Sequence, residues 1–102
     1  MKVTTGVVLF LLAAAGAWAQ KDAKDLYLDK CSVCHGPDGT AKTAKGKKLK
    51  MKDVHEVLAK MSEDEMIKIV ADGKGTDMDA FGKDLSKEQV KNVVEYYRSL
   101  GK

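Results

Sequence analysis

Residues 31–35 read Cys31-Ser32-Val33-Cys34-His35. They hold both cysteines of the 102-residue chain, three positions apart, with an imidazole directly after the second. Three chemistries use two thiols and a histidine in this order: covalent haem attachment, half of a zinc site, and a redox-active dithiol. The residues around the motif separate them.

A four-coordinate structural zinc site usually takes a second Cys/His pair. The only other histidine is His55, and no further cysteine exists. A thioredoxin-like dithiol sits at the start of a helix after a buried strand. Here the apolar spacing of Ala23, Leu26, Tyr27 and Cys31 is helical and runs into the motif from upstream. A bridge between Cys31 and Cys34 would close a very short loop and constrain the unfolded chain little. Cys-x-x-Cys-His is the attachment signature of c-type haem. Two thiols on one helical turn can add to the two vinyl groups of one haem, and the next residue turns its imidazole to the iron. Cys31 and Cys34 are thus expected to hold the haem, with His35 as an iron ligand.

The chain upstream reads as an export signal. Met1-Lys2 is a basic start, residues 3–19 carry no charge, and residues 7–15 are a continuous apolar run. Ala17-Trp18-Ala19 fits a signal peptidase site. We expect residues 1–19 to be a cleaved secretory signal peptide and residues 20–102 a monohaem domain of 83 residues. The apolar run is shorter than the roughly 20 residues that span a bilayer, so an uncleaved anchor is the weaker reading. No cysteine lies near Ala19 for lipid attachment. Export places the motif in an oxidising compartment outside the cytoplasm, the periplasm in a two-membrane bacterium.

Cleavage removes Lys2 and leaves 17 basic against 15 acidic side chains, a net charge of +2. That near-balance argues against a nucleic-acid binder. No second apolar run is long enough to span a membrane. A domain this short is lean for an independent core. After residue 19 no tryptophan remains and Phe81 is the only phenylalanine. A buried porphyrin would supply the missing apolar area.

The remaining pattern is all-α, with no strand. Gly36-Pro37-Asp38-Gly39 must end the first helix. Residues 40–52 are polar and lysine-rich and read as a surface loop. Three helix starts carry the capping spacing: Asp53 with Glu56, Ser62 with Glu65, and Ser86 with Gln89. The first spans about 54–60. The second runs to Asp72, stops at Gly73, and buries Met66, Ile69 and Val70. The third runs to Leu100, stops at Gly101, and carries Val90, Val93, Val94 and Tyr97 on one stripe. Residues 73–85 form a loop that contains Met78 and Phe81.

With Tyr27 four residues before Cys31, then CSVCHGPDG, GKGTDMDAF and LSKEQVKNVVEYYRSL, the chain resembles the small class I cytochromes c in their short bacterial monohaem form. The resemblance covers essentially all of residues 20–102. It implies a single domain of about four helices around one covalently attached haem c, with the C-terminal helix packed across the first. It also implies a second iron ligand, a methionine in the loop before the last helix. Of Met51, Met61, Met66 and Met78, only Met78 lies there, followed by Ala80 and Phe81. Met51 sits in the lysine-rich stretch, and Met61 and Met66, at or on helices, are expected to serve burial; Met61, His55 or no sixth ligand is the weaker reading.

Two departures from the family accompany this assignment. The residue after the methionine is commonly proline, and here it is Asp79. Its absence predicts a less rigid loop. Asp77 and Asp79 flank the ligand and would favour ferric iron if they lay near it, unless water screens them. A ligating histidine also donates its other N–H to an acceptor. In many relatives that acceptor is a proline carbonyl further along, yet the only proline is Pro37, so the partner of His35 stays unassigned.

Lys42, Lys45, Lys47, Lys48, Lys50 and Lys52 form a basic run that would steer the domain to acidic redox partners, or simply solvate a loop. Glu63-Asp64-Glu65 falls in a first helical turn, where carboxylates are locally favourable. Tyr96 and Tyr97 are expected to pack against Leu26 and Tyr27. His55 is expected at the surface. The expected activity is that of a monomeric, soluble, extracytoplasmic electron carrier, with no catalytic acid, base or nucleophile. Two alternatives remain: a haem-based gas binder with an open or labile distal site, and a subunit that feeds electrons into a larger oxidoreductase.

Overall fold

The computed structural model describes residues 22–102; the expected signal segment, residues 1–19, lies outside them. Asp22 begins the first helix, accepting from the Lys24 amide at 3.1 Å. That helix, α1 (Ala23–Lys30), is separated from the single turn α2 (Ser32–His35) only by Cys31. Gly36 ends α2 at φ 81°, a conformation that glycine adopts without the Cβ penalty. Then come α3 (Ala44–Lys48), α4 (Val54–Lys60), α5 (Glu63–Asp72) and α6 (Lys87–Ser99). Of these six helical segments, α1, α4, α5 and α6 have seven residues or more. They are the four helices that the resemblance implied.

Two of the three expected capping boxes close, at Ser62 with Glu65 and at Ser86 with Gln89. Each satisfies two amides that a first turn leaves unpaired. At Asp53 the carboxylate instead accepts from the His55 amide at 2.8 Å and holds its exposed ring through Nδ1 at 2.7 Å. Helix α3 was not expected. The stretch read as loop contains a helical turn capped by the Thr43 hydroxyl, and it buries Ala41 and Gly46.

The core forms where α6 crosses α1 and α5. Leu26 and Tyr27 meet Leu85, Val90 and Val93, and Met66 and Val94 are buried nearby. Burying each valine side chain contributes about 1.5–3 kcal/mol. Tyr27 packs against Tyr96 and Tyr97 as expected, with ring centroids 5.3 and 6.1 Å away. Arg98 Nη1 meets Glu63 Oε1 at 2.6 Å and ties the end of α6 to the start of α5. Among the described residues there is no strand, only an isolated antiparallel bridge between Lys74 and Met78. No helix of the described residues is long and apolar enough to cross a membrane.

Candidate haem-binding site

The turn that presents His35 is fixed through its carbonyls. A helix end leaves its last carbonyls unpaired, and here each finds a partner. The Thr43 hydroxyl donates to the Val33 oxygen at 2.8 Å and lies 3.2 Å from that of Cys34. The Ala41 amide donates to the His35 oxygen at 2.8 Å. The buried Tyr27 hydroxyl donates to the Gly36 oxygen at 2.6 Å. Thr43 also accepts from the Gly46 amide at 3.0 Å, which starts α3. That brings Gly46 against the motif: a Cβ there would collide with the carbonyl oxygens of Cys34 and Ala41. The lysine-rich segment therefore braces the motif from below. Ala41, Thr43 and Gly46 went unread in the sequence; the T-x-x-G spacing of a capped turn was the available signal.

Met78 is held from the other direction. The Lys74 amide donates to the Met78 oxygen at 2.9 Å, and the Met78 amide to the Lys74 oxygen at 3.3 Å. Gly73 at φ 81° and Gly75 at φ 57° allow this tight bridge. Beyond it, the Phe81 and Gly82 amides donate to the Val70 and Ala71 oxygens at 2.9 and 3.0 Å. The loop thus pairs the free carbonyls at the end of α5. It is anchored without the proline whose absence predicted a looser loop. Asp77 and Asp79 are both exposed.

Between these two supports lies a cavity of about 300 Å³. Cys31, His35, Met61, Met66, Tyr97 and Met78 are among its lining residues. A smaller cavity of about 190 Å³ adds Cys34 and Phe81. Both cavities share Cys31, His35, Met51 and Met78, so they form one cleft. The fold therefore brings together all four residues singled out by sequence: Cys31, Cys34, His35 and Met78. It also brings Met51, Met61 and Met66 to the same cavity. Met61 is not on a helix; it is the extended residue after α4 and is half-buried.

The chemistry of these side chains fits a covalently held haem. Cys31 and Cys34 are free thiols. Burial, more than the opposing pull of Lys30, pushes the Cys31 thiol up to about 11. A redox-active dithiol draws on a lowered value instead, the opposite direction. Burial lowers the pKa of His35, which keeps the imidazole neutral at pH 7, the form that binds metal. Its Nδ1 is buried and meets no hydrogen-bond partner. Among the described residues no cluster of three or more His, Cys, Asp or Glu side chains could hold a metal ion, so the zinc alternative gains no further ligands. Burial, followed by the charge of Asp53, pushes the Tyr97 hydroxyl up to about 12.

A helical domain with a Cys-x-x-Cys-His turn facing an apolar cleft defines a small c-type cytochrome. Residues 19–96 match the family model described as cytochrome c oxidase, cbb3-type, subunit III, and the chain belongs to this family of cytochrome c domains. Among solved structures it is similar to the KustC0563 c-type cytochrome, with 33% identity over 80% of this chain and 100% of that one, at a TM-score of 0.73. A point mutant of that cytochrome matches with 32% identity over 78% of this chain and 99% of the other, at 0.71. No curated protein matches the chain. The domain carries covalently bound haem c and takes part in haem-based electron transfer with redox partners.

Proposed function

We propose that residues 20–102 are a monohaem electron-transfer domain, exported by a signal peptide at residues 1–19 and working as a soluble monomer outside the cytoplasm. Cys31 and Cys34 hold the haem through thioethers, His35 is its proximal ligand, and Met78 is its distal ligand. When bound, the group supplies a one-electron couple between ferrous and ferric iron. The protein contributes a neutral imidazole, a thioether, and an apolar cleft that limits water. His/Met ligation raises the potential relative to harder ligands. No step requires a catalytic acid or base, so the domain acts as a carrier rather than an enzyme.

The observation that carries this reading is the shared cleft that places Cys31, His35 and Met78 on one cavity. Partners would dock beside the motif. Val33 is 58% exposed there, and Lys42, Lys45, Lys47, Lys48, Lys50 and Lys52 are all exposed. Lys45, Lys50 and Lys52 border the cleft itself, where a positive rim speeds encounter with acidic partners. The family's description supports a second reading, in which the domain delivers electrons within an oxidase assembly.

The test is the visible spectrum of the reduced, haem-loaded protein at neutral pH, before and after carbon monoxide. The expected result is no change, because a firmly held sixth ligand leaves no vacancy. Rapid stoichiometric binding would overturn Met78 as a firm ligand and favour a gas-binding role.

A further inference from the structure

Three buried side-chain polar atoms among the described residues meet no hydrogen-bond partner: His35 Nδ1, Tyr97 Oη and Arg98 Nε. Arg98 already engages Glu63 through Nη1. The other two belong to neighbouring rings. His35 and Tyr97 meet edge to face, with centroids 5.2 Å apart and an interplanar angle of 62°. Both residues line the larger cavity. Buried polar groups are paired in nearly all folded proteins, so two unpaired atoms on adjacent rings call for one explanation.

The usual acceptors do not supply it. Among the described residues no carbonyl, from the motif or from further along the chain, is hydrogen-bonded to Nδ1, and Nδ1 and Tyr97 Oη, unpaired on adjacent rings, are not bonded to each other either. Tyr97 is itself well placed. Its ring stacks on Tyr27 at 28°, and its helix is capped at Ser86 and tied at Arg98. A phenol oxygen has lone pairs that can accept the N–H of the histidine.

We infer that Tyr97 accepts the hydrogen bond from His35 Nδ1–H in the haem-loaded protein, and so orients the proximal imidazole and sets its donor strength. Tyr97 is a positioning residue: it acts on the iron through His35. The inference rests on His35 as an iron ligand. A ligating histidine that gives its second N–H to an acceptor is a stronger donor, which favours ferric iron. Removing the hydroxyl while keeping the ring should therefore favour ferrous iron.

The experiment is NMR and redox titration on the ¹⁵N-labelled, haem-loaded protein. In the reduced wild type, the His35 Nδ1–H should exchange slowly with water and show a cross-relaxation peak to the Tyr97 ring. In Tyr97→Phe, its exchange should be at least tenfold faster. At a fixed ambient potential the ferrous-to-ferric ratio should rise, because a weaker imidazole donor favours ferric iron less. Tyr96→Phe, one position away on the same helix, should change neither. Unchanged exchange and ratio in a folded Tyr97→Phe would overturn the inference. Should that variant fail to take up haem, absence of the cross-relaxation peak in the wild type would overturn it. If the His35 ring signals lack the shifts of an iron-bound imidazole, the ligation reading itself has failed. Those shifts with an unresponsive Tyr97→Phe would mean that only the positioning role has failed.

Discussion

On the proximal side of the cleft, the carbonyls of residues 33–36 are taken by the Tyr27 and Thr43 hydroxyls and the Ala41 amide. On the distal side, Met78 hangs from backbone alone, bridged to Lys74 and followed by amides on Val70 and Ala71. The first support is written in side chains and is open to isosteric deletion. The second is written in main-chain geometry and is open only where glycine is required. Both do the same work, pairing groups that a helix end leaves free, but they fail in different ways.

The largest expected effect is Gly46→Ala. Its new methyl group would meet the Cys34 and Ala41 carbonyl oxygens, the latter at 2.6 Å, and neither is the end of a flexible side chain. Overpacking of this kind costs about 1–3 kcal/mol. The midpoint of urea unfolding should fall, and the yield of haem-loaded protein with it. An unchanged midpoint would mean that α3 does not brace the motif.

Gly73→Ala should come next, and it should divide the two sides. Its φ of 81° with ψ 178° is a region open essentially to glycine alone, which costs alanine about 1–3 kcal/mol, and the methyl would meet the Met78 oxygen at 2.8 Å. The distal loop should shift while the proximal turn stays in place. The reduced protein should then bind carbon monoxide while keeping its covalent haem. Binding equal to that of the wild type would break the comparison.

Thr43→Val keeps the shape and removes the hydroxyl. The Val33 and Cys34 carbonyls lose a donor and α3 loses its cap, at a cost of about 1–2 kcal/mol. Thermal unfolding should report it, with carbon monoxide binding unaltered. Thr76→Ala is the matching distal change. Its side chain is exposed, so stability should move by less than about 0.5 kcal/mol. A larger loss would show that the distal loop, too, depends on side chains.

What could be read in advance follows the same division. Motif and helix boundaries were legible because their signals are local: Cys-x-x-Cys-His at fixed spacing, Ser62 and Ser86 three residues before Glu65 and Gln89, Gly73 at a helix end. The brace at Ala41, Thr43 and Gly46 was not, because lysines dominate that stretch and burial of Gly46 depends on a turn more than ten residues earlier. The bridge that carries Met78 was not legible either, since side-chain identity says nothing of a main-chain bridge. Met51 was placed in the lysine-rich stretch and Met61 was read chiefly as a buried residue, and only the tertiary fold brings both to the cavity.

The bridge between Lys74 and Met78 has a consequence for how such a domain can diverge. Lys74, Thr76, Asp77 and Asp79 are all exposed, and the hydrogen bonds that hold Met78 come from main-chain atoms. Charges on this rim can be gained, lost or reversed without moving the thioether. If Met78 serves as the proposed distal ligand, the charge of this rim is thereby separated from the position of that ligand, and the rim can change one residue at a time while the thioether stays where it was.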